Sequence, residues 1–318
     1  MIPQDLLLVK ILKLAVKLLK NIQLPKRVGR PFVYQPIVII CCLLVMAAKQ
    51  LSVRGLYAFF MSNDGSLFCT VIPFPEGNIP NRRTFDRRFK QSLLSLELAM
   101  LAVTLVFVKR FHVGIARLAL DNRMFQAVGN LWHRKDQVKG IIPKGLRNID
   151  QTAGWGFSHY RHWIFGHALE VFVTTGSLVV PVLAFAHTLS IRGNTAVKQI
   201  SALLPNVSKG VVAADSEYED SDLGLLLKQT GRVLHAARKR YPKLRPKSKT
   251  YQKRKKTVEP FYERFLLAFN ARGKLDRKGP QAWPYLMSCC LLYQLMVLQN
   301  LLIHAPHPLE VTHLIRML

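Results

Sequence analysis

The sequence predicts a mixed α/β fold, in which a mixed sheet is flanked by helices and preceded by a small all-helical region. Helical periodicity dominates up to about residue 112, because apolar residues recur there every three or four positions. From Val113 onward, short apolar runs typical of strands alternate with helical patterns. Two of these runs lead directly into an aspartate, at Asp121 and at Asp215. Such alternation is typical of a sheet covered by helices.

The N-terminal region contains candidate helices separated by basic or Gly- and Pro-rich turns. Residues 4–22 form an amphipathic helix pattern. One stripe of this helix is basic and consists of Lys10, Lys13, Lys17 and Lys20. The stripe suits DNA phosphates or an anionic membrane, and it equally suits the solvated face of a packed helix. A second, strongly apolar helix is predicted from Pro36 to about Lys49, and Arg82 and Arg83 lie at the start of a later one.

The region from residue 113 is predicted to hold the sheet. Residues 115–120 form a strand candidate that ends in Asp121, and residues 211–214 form another that ends in Asp215. Two longer runs, 163–174 and 178–188, are predicted to pair as a hairpin around a Thr-Gly-Ser turn. The other predicted elements are a helix at 194–204, a helix at 221–229 and a short strand at 232–236.

Composition favours a partner that is a polyanion. The chain of 318 residues carries 46 Lys and Arg against 18 Asp and Glu, a formal net charge of +28, which suits nucleic acid. Half of the residues are hydrophobic, so the chain can bury a large core. The apolar runs 36–48 and 289–305 are predicted to be core helices, since the first is too short for a membrane span and the second contains Gln294, Gln299 and Asn300. The five cysteines lack C-x-x-C spacing, which indicates buried thiols in a reducing cytosol.

Positive charge is densest between residues 238 and 256, where 11 of 19 residues are Lys or Arg and none is acidic. We interpret this segment as a basic insert that is either solvated or bound to DNA. It leads into a helix predicted to begin at Thr257, which places Glu259 in the first turn. A helix start stabilises a carboxylate, so capping alone is an alternative explanation for Glu259. The residues expected to contact DNA are Arg82, Arg83, Arg238, Lys239, Arg240, Lys247, Lys249, Lys253, Arg254, Lys255 and Lys256.

Asp121, Asp215 and Glu259 are the candidate catalytic and metal-binding residues. Hard divalent cations take oxygen ligands, and a pair of such cations can activate an attacking oxygen and stabilise a leaving one. Helix capping is the alternative role for Asp215. Glu263, one turn after Glu259, is an alternative third acid. Three further acids are close enough in sequence to supplement Asp215: Glu217, Glu219 and Asp220.

With these residues in place, the chain resembles insertion-sequence transposases that have a DDE, RNase H-like catalytic domain. The resemblance covers most of the chain and rests on residues 118–121, 155–156, 165–167, 213–218 and 255–262, and upstream on 29–31, 51–55 and 80–85. Some positions depart from the family pattern. Asn122 replaces the usual small Ser or Thr, Tyr251 and Arg254 lie one residue too far from Glu259, and Lys255 and Leu266 stand at the usual Arg and Lys positions.

The resemblance implies a transposase that binds transposon ends and target DNA and catalyses strand cleavage and transfer. It implies that Asp121, Asp215 and Glu259 hold two Mg²⁺ or Mn²⁺ ions. It also implies a homodimer or larger oligomer on DNA, associated with the nucleoid in a prokaryotic cytoplasm, with no membrane partner. The expected domains are a helical DNA-binding or accessory domain, 1–112, and a DDE catalytic domain, 113–318, with the basic insert at 238–256 and a C-terminal packing helix. A catalytically decayed nucleic-acid-binding protein and a stand-alone RNase H-like nuclease stay open as alternatives.

Overall fold

The computed structural model describes residues 4–22, 33–158, 162–237, 249–271, 275 and 279–311. The chain begins with helices α1 (Gln4–Leu19), α2 (Pro36–Ala48), α3 (Val53–Phe60), α4 (Asn63–Cys69), α5 (Arg82–Lys90) and α6 (Leu93–Phe111). The strands that follow are β1 (Arg117–Gln126), β2 (Gly154–Ser158), β3 (His162–Thr174), β4 (Pro181–Thr188), β5 (Gly210–Ala214) and β6 (Arg232–Ala236). Between and after the strands lie helices α7 (Arg134–Lys139), α8 (Gly193–Ser201), α9 (Ser221–Gln229), α10 (Lys249–Ala268) and α11 (Ala282–Leu302).

The strands form one sheet that is antiparallel on one side of β1 and parallel on the other. On one edge, β1 pairs antiparallel with the long strand β3, which in turn pairs with β2 and β4. On its other edge, β1 pairs in parallel with β5, and β5 pairs in parallel with β6. The parallel pairing of β1 stops at Ala119, whereas its antiparallel pairing continues to Gln126. The second half of β1 is therefore available to α10 and to the loop that follows β5.

The predicted fold class is confirmed: a mixed α/β sheet flanked by helices follows a helical N-terminal region. The hairpin of β3 and β4, the helix α9 and the strand β6 also lie where the sequence indicates. One boundary was wrong, because the strand expected to end at Leu120 continues to Gln126 alongside β3. The extension was not predicted because the residues directly after Leu120 are polar, so the apolar strand pattern stops there. Strand β2 and helix α7 were not predicted, because both lie in a connection rich in Gly, His and Trp.

One hydrophobic core joins the N-terminal helices to the sheet, and a second one packs α8 and α9 against β1 and β5. Buried residues of α1, α2 and α6 belong to the same core as those of α10, α11, β3 and β4. The side chain of Gln294 on α11 is buried, and its amide nitrogen donates to the carbonyl of Pro181 at 2.6 Å and to Thr104 Oγ1 at 3.1 Å. The helix α11 is thus fixed to both α6 and β4. The proposed domain boundary at 112/113 falls between α6 and β1 and stays a prediction.

By length and composition alone, one helix among the described residues, α11, would be able to cross a membrane. The bent pairs α2 with α3 and α5 with α6 would qualify as well if each pair formed one span. In the most apolar window of α11, 83% of the residues are buried inside the protein. Nearly all of α2 is buried too. In this fold, α2 and α11 are therefore core helices, as the sequence predicted.

Candidate active site

Asp121 lies on β1, and Asp215 directly follows the adjacent parallel strand β5, where its Oδ1 accepts a hydrogen bond from the Ser216 N–H at 2.7 Å. In the register of β1 with β5, Leu118 pairs with Val212 and Ala119 pairs with Ala213. Asp121 lies two residues after Ala119, and Asp215 lies two residues after Ala213. The two aspartates are therefore 94 residues apart in sequence, the same separation as the paired residues Ala119 and Ala213. Adjacent strands lie about 4.8 Å apart, and residues two apart on a strand point to the same face. The register therefore brings the two carboxylates to one place at the edge of the parallel half of the sheet.

The guanidinium of Arg254 on α10 bridges the two aspartates. Its Nη1 lies 3.3 Å from Asp121 Oδ2, and its Nη2 lies 3.8 Å from Asp215 Oδ2. The Arg254 side chain is only 8% exposed, whereas that of Asp215 is 55% exposed. A planar guanidinium presents several N–H donors in fixed directions, which suits simultaneous contact with two carboxylates. The aspartates and the arginine form one charged group between the sheet and α10.

The protonation of Asp121 is shifted by its surroundings. Burial raises the pKa of the Asp121 carboxyl to about 6. Arg254 and the backbone N–H of Asn122 oppose this shift, while Asp215 and Glu170 add to it. The hydroxyl of Tyr262 on α10 lies 3.0 Å from the Asp121 carbonyl oxygen and 2.9 Å from that of Leu169, within hydrogen-bonding distance of both. Tyr262 thus holds α10 against β1 and β3 directly beside the carboxyl.

Glu259 lies in the middle of α10 and not in its first turn. The helix begins at Lys249, ten positions before Glu259, and contains Pro260 in its interior. The hydroxyl of Thr257 donates to the carbonyl of Lys253 at 2.9 Å, so Thr257 does not cap the helix. The predicted start at Thr257 is wrong because Lys and Arg favour helices, so the basic residues before Thr257 extend α10 back to Lys249. Capping of a first turn therefore does not explain Glu259.

All three candidate acids line one open cavity of about 730 Å³. Glu259 is exposed and reaches it from α10, one helical turn before Glu263, which lines the same cavity. The choice between these two glutamates as the third acid stays open. The other lining residues are Asn122, Arg123, Met124, Phe157, Ser158, Ile164, Glu217, Arg254, Lys255, Tyr262 and Leu266.

The three acids do not form a compact metal-binding cluster. Within the part of the chain that the structure describes, no three His, Cys, Asp or Glu side chains are placed to hold one metal ion. The donor chemistry of the aspartate pair nevertheless fits a hard divalent cation, because two carboxylates there already share one positive group. Asp121 and Asp215 are therefore the residues that would hold such an ion, and Glu259 faces the same cavity from α10.

The acids that follow Asp215 have different surroundings. Glu217 lines the cavity, and its carboxylate accepts hydrogen bonds from Asn122 Nδ2 at 3.2 Å and from the Gly193 N–H at 3.1 Å. Asp220 instead caps α9 and forms an ion pair with Lys198 at 2.8 Å. Of these two acids, Glu217 is the one positioned beside the aspartate pair, and Asn122 ties it to β1.

A buried polar layer behind Asp121 was not found from the sequence. Glu170 on β3 is fully buried, and its carboxyl accepts a short hydrogen bond from the Tyr218 hydroxyl. His187 Nε2 lies 3.0 Å from the other Glu170 oxygen. An acid inside an otherwise apolar strand was the available signal, since an acid in that position requires partners when it is buried. These contacts join β3 and β4 to the loop after β5 and support the strands that carry the site.

The residues predicted to bind DNA are distributed over several places. Four of them, Arg238, Lys239, Arg240 and Lys247, lie outside the described residues. On α10, four lysines are exposed: Lys249, Lys253, Lys255 and Lys256. Arg254 differs from them because it is buried against the aspartates. Arg82 and Arg83 are exposed at the start of α5 and line a separate cavity of about 910 Å³ together with Arg54 and Tyr57.

The histidines near the sheet have structural surroundings. His167 is buried, with Nε2 2.9 Å from Asp150 Oδ2, and its Nδ1 accepts a hydrogen bond from the Trp283 indole N–H at 3.0 Å. Burial alone would raise the pKa of Asp150, but hydrogen bonds led by that of His167 lower it to about 2. The resulting chain of contacts joins the loop before β2 to β3 and to the start of α11.

Replacing Asp121 with Asn tests its raised pKa. Between about pH 4 and about pH 6, folded wild-type protein keeps a proton that the unfolded chain has released, so its stability falls as the pH rises. Relative to wild type, Asp121→Asn should therefore gain about 1 to 3 kcal/mol of stability across this window. Urea denaturation in EDTA from pH 4 to pH 7.5 measures the difference, with the exposed Asp222→Asn as charge-matched comparison. A stability difference that does not change with pH would contradict the raised pKa.

No family model and no curated protein matches the chain. Among solved structures, the chain is similar to the piggyBac transposase in the cryo-EM structure of its synaptic complex with hairpin DNA. The two share 11% sequence identity, with a TM-score of 0.43. The similarity covers 99% of this chain and 79% of the transposase chain.

Proposed function

We propose that this chain is a DDE-type transposase, which binds transposon-end DNA and catalyses metal-dependent strand cleavage and strand transfer. The observation that carries the proposal is the register of β1 and β5, which brings Asp121 and Asp215 together at a cavity that Glu259 also lines. The net charge of +28 supports a polyanionic substrate. The resemblance of the sequence to insertion-sequence transposases names the same three residues independently of the geometry.

In this proposal, the acids and their neighbours have separate roles. Asp121, Asp215 and Glu259 hold two Mg²⁺ or Mn²⁺ ions, which when bound supply activation of the attacking oxygen and stabilisation of the leaving oxygen. Water and then a DNA 3′-hydroxyl are the nucleophiles. Tyr262 orients Asp121 by holding α10 on β1 and β3. Lys255 lines the cavity and adds a positive charge where a phosphate would enter.

The exposed face of α10 supplies a surface for the DNA backbone. Lys249, Lys253 and Lys256 are spaced four and three residues apart, so they lie on one side of the helix. Contacts between lysines and phosphates give affinity without sequence specificity. The same helix carries Glu259, so DNA bound along this face would pass the cavity. Binding as a homodimer or larger oligomer, and association with a prokaryotic nucleoid, belong to this proposal.

A catalytically decayed DNA-binding protein is the second candidate. Two observations favour it: Arg254 already compensates part of the charge of the aspartate pair, and the described residues contain no compact metal cluster. Such a protein would keep the basic face of α10 and lack cleavage. A stand-alone nuclease, the third candidate, would cleave DNA without joining strands. An assay that reports both cleavage and joining separates the three candidates.

Asp215→Asn should abolish metal-dependent nicking while DNA binding stays the same or tightens. The substitution is nearly isosteric but removes a ligand charge that stabilises the transition state, so nicking should fall by at least about a hundredfold. The substrate is DNA carrying the sequences on either side of the coding region, incubated with Mg²⁺ or Mn²⁺ and analysed for nicked and joined products.

The matched control for this assay is Asp222→Asn, which removes the same charge from an exposed site on α9. It should nick DNA at the wild-type rate. Nicking by purified Asp215→Asn at the wild-type rate would remove Asp215 from the site. Binding without nicking by every form, wild type included, would favour the decayed protein.

Replacing Lys249, Lys253 and Lys256 together with Gln should weaken DNA binding and reduce its salt dependence. Each lost phosphate contact lowers the slope of log affinity against log salt by about one, so the slope should flatten by two to three units, about equally for all sequences. Fluorescence anisotropy from about 50 to 300 mM salt measures the slope. The triple Gln variant of Lys10, Lys13 and Lys17 on α1 removes the same charge elsewhere. If the α10 variant kept the parental slope within roughly half a unit, α10 would not be the DNA-binding face.

A further inference from the structure

We propose that Arg254 is an internal counter-cation that competes with divalent metal ions for Asp121 and Asp215. The site would then have two states, one in which the guanidinium bridges the aspartates and one in which a metal ion replaces it. This inference rests on the proposed function, because it concerns the same carboxylates. It adds a regulatory element, namely that metal loading is coupled to displacement of one arginine.

The guanidinium of Arg254 lies within 3.8 Å of both carboxylates. Arg254 Nη1 donates to Asp121 Oδ2 at 3.3 Å, and Nη2 lies 3.8 Å from Asp215 Oδ2. A divalent cation held by both aspartates would need carboxylate oxygens of the same two side chains. A guanidinium and a metal ion so close together would also repel each other strongly. The two cations therefore exclude each other from the aspartate pair.

Arg254 differs in burial from its basic neighbours on α10. Lys253, Lys255 and Lys256 are exposed, whereas Arg254 is buried and lies on the same helix face as the buried Val258. Burying a cation is unfavourable unless an anion compensates it, so the aspartates are the reason this one basic residue points inward. The inward position of Arg254 is therefore explained by its contacts with Asp121 and Asp215. It is not explained by the exposure to solvent that its lysine neighbours share.

The contact between Arg254 and the two aspartates can open. Both distances are longer than those of a tight charge-assisted hydrogen bond, about 2.8 Å. The Asp215 side chain is 55% exposed, and Arg254 faces the open cavity of about 730 Å³. The guanidinium can thus leave the aspartates without unfolding of α10. Because the metal-competent state is only part of the population, the apparent metal affinity of the wild type is lowered by that fraction.

The test compares metal affinity in the full-length protein without DNA. Isothermal titration calorimetry with Mn²⁺ measures the dissociation constants of wild type, Arg254→Gln, Arg254→Lys and Lys255→Gln. Lys255→Gln removes an equal charge from the same cavity and so controls for general electrostatics. Asp215→Asn identifies which binding belongs to the aspartate pair. The thermal shift caused by Ca²⁺ provides a second readout on each variant and shows that each one is folded.

We expect Arg254→Gln to bind Mn²⁺ about tenfold or more tightly than wild type. The Mn²⁺ affinity of Arg254→Lys should lie between those of wild type and Arg254→Gln. The lysine side chain is shorter than that of arginine, and its ammonium does not bridge two carboxylates. Lys255→Gln should change the affinity less than about threefold. The Ca²⁺ thermal shift should be larger for Arg254→Gln than for wild type, since the metal then replaces the missing cation between two like charges.

Two results would overturn the proposal in distinguishable ways. If Mn²⁺ binds wild type and is lost in Asp215→Asn, but Arg254→Gln behaves like wild type or like Lys255→Gln, Arg254 does not compete and the metal site itself stands. If Mn²⁺ binds none of the folded variants at the aspartate pair, the proposed function fails and the competition fails with it.

Discussion

The parallel pairing of β1 with β5 is the constraint on which the candidate site depends. It aligns Ala119 with Ala213, and two residues later it delivers Asp121 and Asp215 to the same edge of the sheet. Two acids that are far apart in sequence thereby become neighbours through backbone hydrogen bonds alone. Their mutual repulsion must then be compensated, because the two carboxylates lie together and Asp121 is partly buried. Arg254 on α10 supplies the compensating positive charge, and Tyr262 holds the same helix against the backbone of Asp121 and Leu169.

The helix α10 carries different groups of the site on different faces. Its inward face carries Arg254 and Tyr262, which contact the side chain and the backbone of Asp121. Its outward face carries exposed lysines, and Glu259 lies beside the cavity between these faces. One rigid element therefore joins a surface suited to phosphates, a carboxylate and an internal counter-cation. A change in the position of Arg254 would alter the charge of the cavity without changing the fold.

The strands and the hairpin could be predicted from the sequence because they depend on local residue patterns. Apolar runs ending in Asp121 and Asp215 identified the two strands, and the Thr-Gly-Ser turn identified the hairpin of β3 and β4. The start of α10 and the partners of Glu170 could not be predicted, because they depend on contacts between distant parts of the chain. The start of α10 was misplaced because the Lys- and Arg-rich segment has no apolar periodicity, although its inward residue Arg254 finds partners on the sheet. The buried partners of Glu170 come from β4 and from the loop after β5, so no local pattern indicates them.

If Asp121 and Asp215 form a divalent-metal site, Arg254 must withdraw from them when the ion binds. The most direct measurement is a crystal structure of the protein with Mn²⁺, in which anomalous scattering locates the metal. We expect an anomalous peak bonded to oxygens of both aspartates, at about 2.0 to 2.3 Å, with the Arg254 guanidinium displaced from them. Crystals grown with millimolar Mn²⁺ that show no peak at the aspartates, and an Arg254 that still bridges them, would contradict the account.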